Sequence, residues 1–505
     1  MYSSHIFMKN SILYALAFLC LIGMKGELKA QKFDNKVHFD FNPSMKNAYT
    51  SALHLRINDS RLAIQSEKSS NPNNAMALYV ENWTDFMEIL ADENPKTFEK
   101  MLPNRGARIS KIKSGDQESP YFLYTQAGID IQWAWLHLQF NQVNEAVKLL
   151  KSTQGDLERN IKYFPDFLAN KMLLGVVQVM SEFTTTKYIA NTPNALNLGL
   201  KNLKEVIQTS RFEFAEEANF WYAMILLELE VEDDKTWNVL NANALNHQKS
   251  LFGNYLLARI NLMQGNMTKA QSILGVMPTG DKYHRFAQID FIKGLACLYK
   301  QESKADQYFK TFLDNYRGVH RIKEAYQKYA WSALLQGKND EYKRLMEGLA
   351  QNGNSVHPYD AWAEMEAKQK TIPNVELLKF RLNFMAASYD KAIHLMENMP
   401  ALKGYEDAEF LFFKGKMLHK MKKTDDALSI FEKIATNSEN KTRYIAALSY
   451  YYAGMIYADR KETAPAIKAF ENCLKMNPDV MKKSIHWRAR MQLDILQPVQ
   501  TANSK

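Results

Sequence analysis

Histidine, serine and glycine residues offer the usual starting points for chemistry, and their spacing in this chain supports none. The closest two of the eleven histidines, His38 and His54, are sixteen residues apart. Zinc-binding histidine pairs lie three or four residues apart on one helical face. The chain also has no Gly-x-Ser-x-Gly motif, which marks a nucleophile elbow. We predict that the protein is not an enzyme and has no catalytic residue, bound metal or cofactor.

One pair of glycines has the spacing of a phosphate-binding loop. Gly275 and Gly280 enclose four residues, but Asp281 and Lys282 follow where such a loop has Lys and then Ser or Thr. The Asp281 carboxylate would repel a phosphate. The pattern therefore predicts a turn between helical hairpins.

The N-terminus has the organisation of a secretory signal peptide. Lys9 precedes the apolar run Ile12 to Ile22, and a small residue, Ala30, stands before Gln31. The run is shorter than the roughly 20 residues that a membrane-spanning helix needs. We predict cleavage between Ala30 and Gln31, export to the periplasm and no transmembrane segment in the mature chain. Retention as an uncleaved anchor and peripheral association with the outer membrane both stay open.

Composition favours a helical body without a nucleic-acid partner. The chain has 20 glycines and 14 prolines among 505 residues, fewer than an average globular protein has. Its net charge of +9 is distributed without a block of five like charges. A nucleic-acid-binding surface needs clustered basic residues. We therefore predict an all-α protein that does not bind nucleic acid.

The segment Tyr450 to Pro478 has the spacing of two antiparallel helices. Its key residues are Tyr450, Gly454, Tyr457, Ala466, Phe470 and Pro478. Small residues fit where two helices cross, aromatic residues fill the gap and proline ends the pair. The pattern resembles the tetratricopeptide (TPR) repeat. The resemblance implies an α-solenoid of antiparallel helical hairpins, a TPR-like superhelix, because single hairpins cannot bury their apolar faces alone.

The same template recurs upstream. Its matching positions are Gly415, Ala427 and Phe431, then Gly294, Ala305 and Phe309, and finally Ala258 and Ala270. Residues 482–496 predict a capping helix for the last hairpin. The predicted divisions are a signal peptide (1–30), an N-terminal helical segment of three helices (31–118), degenerate repeats (119–365), C-terminal repeats with the capping helix (372–497) and a flexible tail (498–505).

The resemblance also implies a concave groove lined by the first helix of each hairpin. Residues three before, one after and five after the central glycine are expected to face it. The predicted groove residues are Phe291, Leu295, Tyr299, Phe412, Lys416, His419, Lys420, Tyr451, Met455 and Asp459. Their aromatic, apolar and basic character suits a peptide. The competing interpretation is that these side chains pack within the superhelix.

The repeats and the signal peptide together resemble exported TPR proteins of Bacteroidota. The resemblance implies a non-catalytic scaffold of the cell envelope that binds another envelope protein or peptide. The family's clamp for acidic C-terminal tails has lysine and asparagine where this chain has aromatic residues, which disfavours tail recognition. The alternative function is a glycan- or nutrient-binding envelope protein with a TPR-like core.

Overall fold

The structure is a computed structural model that describes residues 36–184, 195–209, 212–231, 234–240, 242–437, 439 and 443–497. The predicted signal peptide, its cleavage site at Ala30 and Gln31, and the predicted tail 498–505 lie outside these residues.

The fold is all-α, as the sequence predicts. The helices are α1 (Pro43–Leu53), α2 (Ile57–Ser70), α3 (Met76–Asp92), α4 (Pro95–Ile112), α5 (Pro120–Gln139), α6 (Val143–Tyr163), α7 (Ala169–Phe183), α8 (Ala195–Ile207), α9 (Ala215–Glu228), α10 (Asp234–Trp237), α11 (Leu251–Met263), α12 (Met267–Gly275), α13 (Gln288–Tyr299), α14 (Ala305–Asn315), α15 (Ile322–Leu335), α16 (Asn339–Gln351), α17 (Pro358–Gln369), α18 (Val375–Met385), α19 (Tyr389–Glu397), α20 (Gly404–Lys420), α21 (Thr424–Thr436), α22 (Tyr444–Asp459), α23 (Thr463–Lys475) and α24 (Lys482–Leu496). Among the described residues, β structure is limited to two isolated bridges.

Successive helices pack in pairs, and each pair contacts the next to form a solenoid of helical hairpins. In three hairpins an aromatic ring of the second helix lies against a glycine of the first. A Cβ atom added to Gly294, Gly415 or Gly454 would lie only 2.6–2.8 Å from the ring of Phe309, Phe431 or Phe470, respectively. The absence of a side chain at these glycines lets the helices approach closely.

The N-terminal segment contains four helices rather than the three that the sequence predicts. The additional helix is α2, which buries only a narrow stripe. Glu67, on that stripe, accepts hydrogen bonds from the amides of Asn74 (2.7 Å) and Asn42 (2.9 Å). The apolar periodicity of α2 is weak because polar groups bonded to neighbouring loops occupy part of its inner face.

The core consists of a large cluster from Val37 to Leu382, a second cluster from Ala408 to Ala489 and a small one around Phe380. Trp362 of α17 packs against both larger clusters. Helix α17 therefore joins the two cores near the predicted division between residues 365 and 372. That division, like the other domain boundaries, stays a prediction.

The C-terminal helix α24 closes the solenoid on its first half. It packs on α22 and α23, as a capping helix does, and also contacts α7 and α8. The rings of Trp487 and Phe183 lie 4.6 Å apart, and the Arg488 guanidinium lies 3.3 Å from the Glu230 carboxylate. Because α24 spans this gap, the inner surface of the solenoid surrounds a central cavity.

Candidate functional site

The central cavity has a volume of about 650 Å³. It is lined mainly by the first helices of successive hairpins, together with residues of α9, α17 and α24. The volume lies within the usual range for ligand sites of roughly 300–1,000 Å³. A short segment of a partner or a small ligand therefore fits inside, whereas a folded domain does not.

Aromatic rings form much of the wall. The lining rings are Trp135, Phe183, Phe252, Tyr255, Phe286, Tyr299, Tyr359, Trp362, Phe384, Tyr389, Phe412, Phe413, Tyr444, Tyr452 and Trp487. Several of them contact one another, such as Phe412 with Tyr452, whose centroids are 5.8 Å apart. The wall thus offers flat apolar surfaces on which an apolar side chain or ring can pack.

Three carboxylates of the wall are bonded within the protein. Glu93 accepts hydrogen bonds from Gln288 (2.7 Å) and the Tyr316 hydroxyl. Glu324 pairs with Arg321 at 2.7 Å. Besides Arg488, Glu230 binds the Tyr359 hydroxyl at 2.7 Å. These acids join α3, α9, α15, α17 and α24 around the cavity and are therefore structural.

Glu228 and Arg259 differ from those pairs. Within the described residues, the Glu228 carboxylate has no hydrogen bond or ion pair, and its side chain is exposed to the cavity. Enclosure by the surrounding helices raises the pKa of Glu228, an effect that Arg259 and Arg321 oppose. Arg259 bonds only the Tyr255 hydroxyl, at 3.1 Å, among the described groups. Both side chains therefore have bonding capacity left for a ligand.

Lysines supply further positive charge. Lys416 and Lys420 lie one turn apart on α20, and Lys483 lies on α24. The Lys416 ammonium sits over the rings of Tyr452 (4.9 Å) and Phe384 (5.4 Å). Lys420 and Lys483 are exposed and make no ion pair with the described residues. Among the described residues, the cavity therefore has three cationic side chains without an ion pair, Lys420, Lys483 and Arg259, and one such carboxylate, Glu228.

Two histidines and an arginine mark the start of α15 and α17. The imidazoles of His320 and His357 lie 5.8 Å apart. Burial, together with nearby Arg321 and His320, holds the pKa of His357 well below its usual value, so this ring is neutral near pH 7. Its Nδ1 accepts a bond from the Tyr359 N–H at 3.3 Å. This bond caps α17, and the histidines have a structural reason for their positions.

The structure divides the ten predicted groove residues by position. Those that line the cavity are Leu295, Tyr299, Phe412, Lys416 and Lys420. The others are Phe291, His419, Tyr451, Met455 and Asp459, which are not part of its wall. Asp459 is 69% exposed and lies 3.9 Å from His419. Any binding role of these ten residues stays a prediction.

The placement of Phe291 and Tyr451 corrects the expected direction of residues three before the glycine. Phe291 is fully buried, with its ring 5.9 Å from that of Phe309. Tyr451 and Phe470 have the same 5.9 Å separation. Such residues face the second helix of their own hairpin, because the glycine beside them leaves room for its ring. Phe412 contacts Phe431 in this way and also reaches the cavity.

Sequence reasoning missed Glu228, Arg259 and Lys483. Glu228 ends α9 and Lys483 lies in the first turn of α24. These two helices are outside the repeat template, so no repeat position marks either residue. Arg259 follows Ala258, which the template does identify, and only its neighbours around the closed solenoid show that it faces the cavity.

Two features are absent from the described residues. No group of three or more His, Cys, Asp or Glu side chains is placed to hold a metal ion. No described helix is both long and apolar enough to cross a membrane.

Comparison with known proteins supports the repeat class. Residues 448–479 match the family model of the tetratricopeptide repeat, which includes the hairpin of Gly454 and Phe470. This match shows a TPR-like repeat at residues 448–479, and the other helical hairpins of the described residues have a similar arrangement. No curated protein matches the chain significantly.

Solved structures with similar arrangements include the APC/C hetero-tetramer Cut9–Hcn1, with 12% identity, coverage of 88% of this chain and 95% of the other, and a TM-score of 0.27. Another is the human IFIT1 dimer with PPP-AAAA, with 11% identity, coverage of 86% and 95%, and a TM-score of 0.31. At these identities and TM-scores, the similarity supports no inference about function.

Proposed function

We propose that this chain is a non-catalytic scaffold of the bacterial cell envelope that binds a segment of a partner protein in the central cavity. The observation that carries the proposal is the cavity wall, where the first helices of successive hairpins present aromatic rings and unpaired cations to one shared cavity. Solenoid repeats commonly bind through such an inner surface. The signal-peptide pattern before Gln31 supports an envelope location, as in the exported TPR proteins that the sequence resembles.

Site-specific photo-crosslinking tests where the partner binds. A photoreactive residue replaces Lys420, at the cavity, or Lys468, at an exposed position of α23. We expect a covalent adduct with an envelope protein from position 420 and none from position 468. Adducts from position 468 alone would place the partner on the outer surface and contradict the proposal.

Location is tested separately by cell fractionation and N-terminal sequencing. We expect a mature chain that begins at Gln31 in the periplasmic fraction. Recovery of the chain with Met1 in the cytosol would contradict the proposed compartment but leave the binding site unaffected.

A glycan or nutrient is the second candidate ligand, and the enclosed volume of about 650 Å³ favours it. Planar polar groups such as those of Glu228 and Arg259 can hydrogen-bond a polar small molecule between the rings. A thermal-shift screen of envelope glycans distinguishes the two functions. A glycan that stabilises the wild type, combined with the absence of protein adducts from position 420, would favour this second function.

A further inference from the structure

The charges that the protein leaves unpaired in the cavity indicate the chemistry of its ligand. Glu93, Glu230 and Glu324 are each bonded by protein donors. Among the described residues, ion pairs are lacking at three cationic side chains of the wall, Arg259, Lys420 and Lys483, and at one carboxylate, Glu228. A ligand that enters the cavity therefore meets more available positive charge than negative charge.

An apolar subsite lies beside the lysines. The Lys416 ammonium lies over the rings of Phe384 and Tyr452. Phe413 packs on Phe384 and Phe412, with ring centroids 5.8 and 5.6 Å apart. Lys420 is one turn further along the same face of α20. An apolar side chain on these rings would thus have its flanking residues near positive charge.

The unpaired carboxylate of the wall, Glu228, favours a peptide over a polyphosphate as the ligand. A nucleic-acid backbone or polyphosphate carries negative charge along its length and would be repelled by Glu228. A peptide has N–H groups between its charged side chains, and an N–H can donate to the Glu228 carboxylate. The combined pattern of excess cations, rings and one acceptor favours a peptide.

We propose that the cavity binds an acidic internal segment of the partner, with an aromatic or large aliphatic side chain on the rings of α18, α20 and α22 and carboxylates on Lys420, Lys483 and Arg259. The inference rests on the proposed function, whose partner it describes. A free C-terminal carboxylate is not required, since the aromatic positions of this wall differ from a tail clamp.

Binding of short fluorescein-labelled peptides, blocked at both ends, tests the ligand chemistry. The probe peptide contains several Glu residues around one Trp. One comparison peptide replaces Glu with Lys, and another replaces Trp with Ser. We expect the Glu–Trp peptide to bind at least about tenfold more tightly than either, with an affinity that falls as salt rises. Equal or tighter binding of the Lys–Trp peptide would overturn the inference.

Charge variants that should change the affinity in opposite directions test whether the peptide binds in the cavity. The double variant Lys420→Glu/Lys483→Glu should weaken the Glu–Trp peptide at least about tenfold. Glu228→Gln keeps an oxygen that can accept the peptide N–H but removes a charge that repels the Glu side chains, so it should strengthen binding of the Glu–Trp peptide. Lys468→Glu/Lys475→Glu, the charge-matched double variant at exposed positions of α23, should leave the affinity unchanged. An unchanged affinity in both cavity variants, with unaltered circular dichroism, would overturn the assignment to the cavity.

Competition distinguishes the remaining ligand classes and separates this inference from the proposed function. Inorganic triphosphate or a single-stranded oligonucleotide that displaces the peptide at lower concentration would overturn peptide recognition in favour of a phosphate ligand. If crosslinking from position 420 captures a partner while none of the acidic peptides binds, the scaffold function stands and the acidic segment is wrong. The opposite outcome is that only the acidic peptide binds Glu228→Gln more tightly than the wild type while crosslinking from position 420 captures no partner. The cavity then recognises acidic peptides, but the proposed scaffold function is wrong.

Discussion

The C-terminal hairpins and the N-terminal helices build their cores by different means. In the hairpins of Gly415 and Gly454, the ring of Phe431 or Phe470 packs on the glycine of the same hairpin. In the N-terminal half, Trp83 contacts Tyr49 and Trp221, with ring centroids 5.8 and 5.9 Å apart. The first arrangement is repeated and local in sequence, whereas the second is unique and joins distant helices.

Buried polar pairs also hold the N-terminal half together. The Arg108 guanidinium lies 2.6 Å from the Asp85 carboxylate, and both side chains are nearly fully buried. The Tyr49 hydroxyl donates a 2.5 Å hydrogen bond to Glu217, which is 168 residues away in sequence. Buried polar pairs tolerate few alternative arrangements, because an unsatisfied partner is costly. A buried ion pair also joins two C-terminal hairpins, where Arg381 and Glu409 lie 3.0 Å apart. The regions therefore differ in their apolar contacts, which are repeated and local in the C-terminal hairpins and unique and long-range in the N-terminal half.

The largest loss of stability is expected from a substitution at the repeated contact between a ring and a glycine. Phe470→Ala should lower the free energy of unfolding by roughly 3–5 kcal/mol, because it leaves a cavity against Gly454. Denaturant unfolding followed by circular dichroism measures the change. Tyr163→Ala, at a residue that is 68% exposed, is the control and should have little effect. An unchanged stability in Phe470→Ala would disprove the hairpin packing.

A similar loss is expected in the N-terminal half from Arg108→Ala. Removing one member of a buried ion pair costs roughly 3–5 kcal/mol. The lower end applies here, because Asp85 keeps a hydrogen bond from Asn104 (2.9 Å) and lies 3.6 Å from Arg61. The same unfolding measurement applies.

Arg344→Ala, which breaks an exposed pair with Glu341, is the control for Arg108→Ala. It should cost at most about 1 kcal/mol. Equal losses in the two variants would show that burial does not set the strength of the Arg108–Asp85 pair.

A smaller effect is expected from overpacking. Ala466 is fully buried where α23 meets its neighbours, so Ala466→Leu should cost roughly 1–3 kcal/mol. Ala464→Leu places the same side chain at an exposed position of α23 and should be nearly neutral. The melting temperatures of both variants check the prediction. A larger loss of stability in Ala464→Leu than in Ala466→Leu would contradict the assignment of Ala466 to the buried face of α23.

The repeated region could be predicted because its contacts are close in sequence. Gly454 and Phe470 are sixteen residues apart, so one template contains both partners of the contact. No comparable signal connects Tyr49 with Glu217, and the polar face of α2 concealed that helix. The sequence predicted hairpins and a capping helix, but the closure of α24 on α7 and α8 depends on the summed curvature of all repeats.

The candidate site was predictable only in part for the same reason. Positions one and five after the glycine reach the cavity in α13 and α20, as Leu295 and Lys416 show. The equivalent residues of α22, Met455 and Asp459, do not, because this helix reaches the cavity through Tyr444, Leu448 and Tyr452, nearer its N-terminus. Local spacing gives the face of a helix, whereas the cavity depends on where distant helices meet.

The pH dependence of stability provides the finest test of the N-terminal polar core. The buried Glu217 carboxylate accepts bonds from the Tyr49 hydroxyl (2.5 Å), the Trp221 indole N–H (3.2 Å) and the Tyr124 hydroxyl (3.4 Å), and no cationic side chain among the described residues bonds it. Burial raises its pKa from 4.5 to about 7, although the three donors oppose the rise. The folded state therefore binds a proton more tightly than the unfolded state does.

The resulting stability is fully present below the unfolded pKa of 4.5 and is lost as the pH rises through about 7. Glu217→Gln keeps an acceptor oxygen but cannot ionise. Its free energy of unfolding, relative to the wild type, should therefore rise between about pH 5 and pH 8. Glu99→Gln, at an exposed position of α4, should follow the wild-type profile. A constant difference between Glu217→Gln and the wild type across this range would mean that Glu217 ionises equally in both states. The buried tyrosine–carboxylate cluster would then not be a distinguishing feature of this half of the molecule.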